Sequence, residues 1–177
     1  MGTSISFKRP DGKDASGYLA NAARGNAPGV VVIQEWWGLQ DQIKGMCDRF
    51  ALAGFDALAP DLYNGKVVPY HDTDAAGKEM NSLDFMDATT QTVRGAAQYL
   101  ARNGAKVGLT GFCLGGAVTI IGADQNSRAR PRAWCSTAFR RSRRQSRRTS
   151  RFRCRRISPT RTTGARRQLV DALREGR

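Results

Sequence analysis

The sequence predicts an α/β fold built on a doubly wound, mostly parallel sheet. Short β-branched or apolar runs occur at Val30–Ile33, Phe55–Ala59 and Val107–Thr110, and such runs are typical of strands buried on both faces. Two segments with apolar residues at helical spacing separate these runs. Strands that alternate with crossover helices pair in parallel, so these observations together predict the fold class.

The chain opens with two short alternating segments, Ser4–Lys8 and Ser16–Asn21. They flank the turn sequence Pro10–Gly12, and this pattern predicts an antiparallel β-hairpin. Ala27–Gly29 then breaks the chain before the first buried strand.

Two helices are predicted after that strand. Gln40–Gly54 has apolar residues near helical spacing and ends at a glycine, a common helix stop. Asn64–Gly77 is polar and contains glycine and proline, so it is predicted to be a loop. Ser82–Ala101 again has a helical apolar face, and Asn103-Gly104 predicts a glycine cap of the Schellman type.

The segment that follows the Val107–Thr110 run carries the main candidate for chemistry. Gly111–Gly115 reads G-x-C-x-G, with Cys113 between two glycines and an apolar small-residue segment behind it. A strand, a strained turn and a helix would lift the thiol to the carboxyl end of the strand, and the glycines avoid Cβ clashes there. A cysteine between turn glycines can also be an ordinary core residue. Glu35 ends another predicted central strand, and ligands bind at that rim of such sheets.

Composition narrows the class of protein. A chain of 177 residues is the size of one domain. It has no apolar run near the ~18 residues of a membrane span and no apolar signal-peptide core, so neither is predicted. Its four cysteines have neither metal-ligand nor disulfide spacing. We therefore expect a cytoplasmic protein with no metal and no cofactor.

The charge is divided unevenly along the chain. Residues 1–124 hold 11 Lys+Arg and 13 Asp+Glu, whereas residues 125–177 hold 18 and 2. The division predicts a domain over 1–124, an arginine-rich and disordered segment over 125–167, and a short helical remnant over 168–177. The sheet is therefore expected to be incomplete, with its later strands and helices missing and the strand before Cys113 left as an unpaired edge.

Four motifs together resemble one enzyme family. They are Q-E-W-W-G at Gln34–Gly38, A-P-D-L-Y at Ala59–Tyr63, G-F-C-L-G-G at Gly111–Gly116, and the segment Leu83–Ala96. On these motifs, residues 1 to about 124 resemble the dienelactone hydrolase (carboxymethylenebutenolidase) family of the α/β-hydrolase fold. The resemblance covers roughly the first two thirds of the chain.

The resemblance implies a Cys-His-Asp triad that hydrolyses a small-molecule lactone or ester. Cys113 matches the nucleophile, and Glu35 matches the glutamate that contacts the thiol in the resting enzyme. It also implies an oxyanion hole formed by the backbone N–H groups of Leu114 and Trp36. Trp37 is expected to line the substrate pocket, since flat side chains often do so.

The sequence departs from the family after Cys113. The only histidine, His71, precedes the nucleophile, and residues 125–170 contain no Asp or Glu. The chain also lacks an arginine over 62–93 for a substrate carboxylate, and Lys78 would be a weak substitute. The triad acid and base are thus missing, and we expect a poorly folded chain with impaired or no lactonase activity.

The arginine-rich segment suggests a shifted reading frame. Residues 128–167 hold 16 Arg and no Lys, a composition that GC-rich DNA yields out of frame. With permitted codons, Arg132–Arg140 becomes Arg-Val-Val-Phe-Tyr-Gly-Ile-Pro in a shifted frame, which resembles a buried strand and a turn. Ser158–Ala165 becomes Phe-Ala-Asn-Pro-Asp-Asp-Trp-Cys, similar to the family's triad-Asp segment, and Gln168–Leu173 looks in frame again. The hypothesis is a frame-shifted hydrolase that stops before the triad histidine, and the nucleotide sequence decides it.

Two other functions remain open. The arginine-rich segment could form a nucleic-acid-binding module, although no aromatic platform accompanies it. Specific nucleic-acid binding is not expected, but nonspecific binding is. A hydrolase of another subclass could recruit His71 as its base, although we expect this histidine to lie on a surface loop.

Overall fold

The computed structural model describes residues 1–125 and 132–133. These residues form one six-stranded sheet in the order β1-β2-β4-β3-β5-β6, flanked by helices. In chain order the elements are β1 Thr3–Lys8, β2 Asp14–Ala20, β3 Gly29–Ile33, α1 Asp41–Leu52, β4 Asp56–Pro60, α2 Thr73–Ser82, α3 Phe85–Asp87, a π-helical segment Ala88–Val93, α4 Arg94–Ala101, β5 Val107–Gly111, α5 Leu114–Gln125 and β6 Arg132–Ala133.

The centre of the sheet is parallel. β3 pairs in parallel with β4 on one side and with β5 on the other, which confirms the predicted α/β class. β6 also pairs in parallel with β5, through Gly108↔Arg132 and Leu109↔Ala133. The prediction that β5 forms an unpaired edge is therefore wrong, because β6 occupies part of that edge.

The predicted hairpin forms and joins the same sheet. β1 and β2 pair antiparallel from Thr3↔Leu19 to Lys8↔Asp14. Gly12 closes the turn with φ +83° and donates its N–H to the carbonyl of Arg9 at 3.0 Å. β2 then pairs antiparallel with β4, so the sheet is mostly parallel with an antiparallel edge.

Side chains cover both faces of the sheet. On β3, Val31 and Ile33 belong to one buried cluster, which also contains residues of α4 and α5. Val32 belongs to the other cluster, together with buried residues of α1. This alternation follows from the two-residue period of a strand. Within the described part of the chain, no helix has both the length and the apolar character needed to cross a membrane.

The first predicted helix is confirmed, but the predicted loop is partly wrong. α1 buries Ile43, Met46, Cys47 and Phe50, and Gly54 follows it with φ +88°. Within the predicted loop 64–77, α2 begins at Thr73, where Asp72 Oδ1 accepts a hydrogen bond from Ala75 N at 2.9 Å. α2 buries only Ala76, so its sequence carries no apolar stripe.

The predicted helix Ser82–Ala101 is confirmed from Phe85 onward. α2 ends at Ser82, and the chain restarts at α3 because the Asp84 carboxylate caps the backbone N–H groups of Met86 and Asp87. α3, the π-helical segment and α4 then run without a break to Ala101. Gly104 follows with φ +75°, as expected for a glycine at a helix end.

Candidate active site

Cys113 lies in a sharp turn between β5 and α5. Its φ is +52°, in the left-handed region that a side chain other than glycine or asparagine rarely adopts. Its carbonyl accepts hydrogen bonds from Gly116 N at 3.0 Å and Ala117 N at 3.2 Å, so the residue starts the first turn of α5. The side chain is exposed. Strained backbone of this kind is commonly kept where it positions a functional group.

The two flanking glycines are required by close backbone contacts. A Cβ on Gly111 would collide with the backbone of Gly115. A Cβ on Gly115 would collide with the carbonyl oxygens of Ile33 and Gln34. The turn therefore presses directly on the end of β3, which is the reason for the G-x-C-x-G spacing.

Glu35 follows the neighbouring strand at the same rim. The β3–β5 register pairs Ile33 with Gly111, so Glu35 and Cys113 each lie two residues beyond the last pair. Glu35 is half-buried. The strand register thus places both residues just beyond the ends of adjacent strands, as the parallel topology requires.

The remaining predicted site residues directly follow Glu35 and Cys113 along the chain. Leu114 is the first residue of α5 and is buried, whereas Trp36 and Trp37 are half-buried. The two indole rings meet edge to face, with centroids 4.9 Å apart. Trp37 also meets Tyr70 at 5.5 Å, and sequence reasoning gave no role to Tyr70.

A buried glutamine ties the ends of β3 and β4 together. Gln34 is fully buried, and its Oε1 accepts a hydrogen bond from Leu62 N at 3.1 Å. Asp61 then orders the loop after β4, because its carboxylate accepts hydrogen bonds from Tyr63 N and Gly65 N. The sequence identified Gln34 only as the first residue of the Q-E-W-W-G motif. Its position next to Glu35 is the signal that could have indicated a role at the site.

Tyr63 is a buried residue of the loop after β4. Burial, and next the charges of Glu79 and Cys113, raise the pKa of the Tyr63 hydroxyl to about 12. A cavity of about 330 Å³ opens beside Tyr63. The described residues that line it include Tyr63, Lys66 and Glu79, but neither Cys113 nor Glu35. The cavity is therefore a neighbour of the candidate site and not the thiol pocket itself.

The charged residues of this region differ from those considered on the sequence. Lys66 Nζ pairs with Glu79 Oε1 at 3.0 Å at the cavity, whereas Lys78 is exposed. His71 is also exposed, in a turn before α2, as expected for a surface-loop histidine. Across residues 1–125 and 132–133, no group of His, Cys, Asp and Glu side chains could hold a metal ion.

The predictions for the arginine-rich segment and for the helical remnant fall almost entirely outside the described residues. Only Gln125, Arg132 and Ala133 are described beyond residue 124.

A mostly parallel sheet with a strand–turn–helix elbow at the end of β5 has the architecture of the α/β-hydrolase fold. The comparison with protein families is more specific. The model of the dienelactone hydrolase family matches residues 15–134, and the chain belongs to this family.

The relatives agree with this assignment. The chain is 41% identical over 135 residues to the protein usf of Aquifex pyrophilus, a match that covers 71% of this chain and 56% of that protein. It is 35% identical over 130 residues to an Aquifex aeolicus protein provisionally named a carboxymethylenebutenolidase, covering 68% and 54%. The chain therefore spans about half the length of these curated relatives.

A solved structure shows the same fold. The structure of a Klebsiella pneumoniae protein, provisionally described as a dienelactone hydrolase, matches with a TM-score of 0.62 and 26% identity. The match covers 80% of this chain and 63% of that one. The fold class and the family resemblance predicted from the motifs are both confirmed.

Proposed function

We propose that the chain is a carboxylic-ester hydrolase in which Cys113 attacks the carbonyl carbon of a small lactone or ester. One observation carries the proposal: an exposed thiol sits on left-handed backbone at the elbow, level with the carboxylate-bearing end of β3. The family supplies the reaction class, and the relatives' names support esters of the carboxymethylenebutenolidase type.

The reaction begins when Glu35 accepts the thiol proton and the sulfur attacks the carbonyl. The developing oxyanion accepts hydrogen bonds from the N–H groups of Leu114 and Trp36, and loss of one such donor typically costs ~3 kcal/mol of barrier. The ester C–O bond then breaks, and the leaving oxygen takes the proton back from Glu35. A thioester on Cys113 remains, which water hydrolyses to regenerate the thiol and release the acid.

The 177-residue polypeptide is expected to acylate but to turn over poorly. Its only histidine is His71, which is exposed on the turn before α2. Without an imidazole beside the thioester, only the Glu35 carboxylate is left to activate the water, and removal of the imidazole base costs triad enzymes on the order of 10⁴-fold.

A burst experiment with p-nitrophenyl acetate tests the proposal. We expect release of one p-nitrophenol per chain, a stable acetyl group on Cys113 by peptide mass spectrometry, and little steady-state release. Cys113→Ala should abolish the burst, and Cys47→Ala should retain it. Acetylation of another residue, or a burst that survives in Cys113→Ala, would contradict the assignment of the nucleophile.

The prediction of a cytoplasmic location belongs to the same proposal. It is supported by the spacing of the four cysteines in the sequence, which has no disulfide pattern.

A further inference from the structure

Three aromatic rings form a continuous strip that starts next to Glu35. We call Trp36, Trp37 and Tyr70 the aromatic strip. Trp37 contacts Trp36 edge to face with centroids 4.9 Å apart, and it contacts Tyr70 at 5.5 Å with an interplanar angle of 72°. Edge-to-face contact leaves ring faces available for a further ring.

The loop that carries Tyr70 is fixed by hydrogen bonds to residues that follow Glu35 in the chain. Val68 N donates to the carbonyl of Trp37 at 2.9 Å, and Gln40 Nε2 donates to the carbonyl of Val68 at 2.7 Å. The Tyr70 hydroxyl donates to Gln42 Oε1 at 3.3 Å. The ring is therefore fixed at both ends, by Trp37 and by Gln42.

The outer end of the strip is open to water. Tyr70 is 52% exposed and the nearby Val67 is 50% exposed, which makes them two of the most exposed large apolar side chains in the described part of the chain. Apolar and aromatic surface grouped beside a polar site is typical of a ligand-binding wall. The Tyr70 ring contacts the ring of Trp37, and about half of the residue is exposed to solvent. Tyr70 is therefore not a core residue of any helix or strand in the described part of the chain.

We propose that Tyr70 is a specificity-determining residue, and that the aromatic strip binds a flat unsaturated ring attached to the ester. This inference rests on the proposed function, because the strip begins at Trp36, one of the two proposed oxyanion donors. Because the planes of Trp37 and Tyr70 cross at 72°, a flat ring that stacks on one of them meets the other edge to face, whereas a puckered saturated ring of equal size approaches neither as closely. Tyr70 thus discriminates between flat and puckered rings of the ligand, and Cys113 carries out the ester chemistry.

Protection of Cys113 from alkylation tests the inference without requiring hydrolysis. The full chain is titrated with N-methylbenzamide or with N-methylcyclohexanecarboxamide, and the rate of Cys113 alkylation by iodoacetamide is measured by peptide mass spectrometry. Neither amide reacts with thiols, and the two differ in the flatness of the ring. We expect the flat amide to protect Cys113 at an about fivefold lower concentration, the size of one aromatic contact.

Three variants separate ring flatness from loop structure. In Tyr70→Leu the ratio between the two amides should fall to about one. Tyr70→Phe keeps the ring but loses the hydrogen bond to Gln42, and Gln42→Ala loses that bond while keeping the tyrosine, so both should retain the ratio. The proposal is overturned if Tyr70→Leu keeps the ratio, if wild type shows no preference, or if Gln42→Ala loses it, since the effect then lies in the loop.

The outcome is distinguishable from failure of the proposed function. If the flat amide protects better but no acetyl-Cys113 forms, the aromatic strip remains a binding site and the assignment of Cys113 as the nucleophile is refuted. An acetyl burst without ring preference would retain the nucleophile and refute the role of Tyr70.

Discussion

Cys113 and Cys47 show how the same side chain receives opposite properties from two regions of one fold. Cys47 lies in the middle of α1, is fully buried among apolar residues, and burial raises the pKa of its thiol to about 12, with the charge of Asp48 as the second cause. Cys113 lies in the elbow between β5 and α5, with left-handed backbone and an exposed side chain. Cys47 is therefore a core residue, and Cys113 is the cysteine that a ligand can reach.

The difference teaches that the backbone element, and not the residue type, assigns the role. In α1 a cysteine at helical spacing points into the cluster with Ile43 and Phe50, where a thiolate would be poorly solvated. In the elbow, two glycines allow the chain to turn so sharply that the thiol leaves the core. The following predictions break or sharpen this comparison.

The largest effect is expected from a glycine of the elbow. Gly115→Val places a Cβ against the carbonyl oxygens of Ile33 and Gln34, and neither backbone can move without disturbing β3. We expect the free energy of unfolding to fall by about 3 kcal/mol or more in urea titrations.

The matched control is a glycine in the helix of Cys47. At Gly45 a Cβ would meet no atom within 4 Å, so Gly45→Ala should raise the free energy of unfolding by about 1 kcal/mol through helix propensity. Equal destabilisation by both variants would remove the structural distinction between elbow and helix.

Serine substitutions of the two cysteines should give opposite results. Cys47→Ser buries a hydroxyl in an apolar cluster and should cost about 1–3 kcal/mol of unfolding free energy. Cys113→Ser, at an exposed position, should change stability by less than about 0.5 kcal/mol but should remove alkylation of residue 113. A stability loss confined to Cys113→Ser would reverse our assignment of the two roles.

The smallest effect concerns pH. Because the pKa of Cys47 is raised from about 9 to about 12 on folding, its contribution is fully present below pH 9 and is lost as the pH rises towards 12. Linkage predicts a loss of about 1 kcal/mol in unfolding free energy by pH 10. Urea titrations from pH 8 to 10 should show this slope in wild type and a smaller slope in Cys47→Ala. Identical slopes would show that Cys47 is not protected by burial.

Sequence reasoning succeeded where local signals and burial agree. The β-branched run of β3 indicates a buried strand and the glycines around Cys113 indicate a sharp turn, so strand and elbow were predicted within a residue or two. Glu35 and Cys113 could be brought to one rim because parallel strands end on the same side.

The failures have equally specific causes. α2 was missed because it buries only Ala76, and the aspartate before it, which caps the helix, was the available signal. The start of α3 was predicted three residues too early because the apolar spacing includes Leu83, although Asp84 is a capping residue. β6 was missed since two residues carry no pattern. Contacts over long sequence separation, such as Gln34 with Leu62 and Trp37 with Tyr70, leave no periodic trace at all.

The burst of p-nitrophenol from p-nitrophenyl acetate in Glu35→Gln tests most directly whether the carboxylate at the end of β3 accepts the proton of the Cys113 thiol. The amide of glutamine cannot accept this proton, so the variant should acylate Cys113 about 10²-fold more slowly than wild type. Glu79→Gln, the same change at the neighbouring cavity where Glu79 pairs with Lys66, should stay within about twofold. A rate in Glu35→Gln equal to that of wild type would contradict the account.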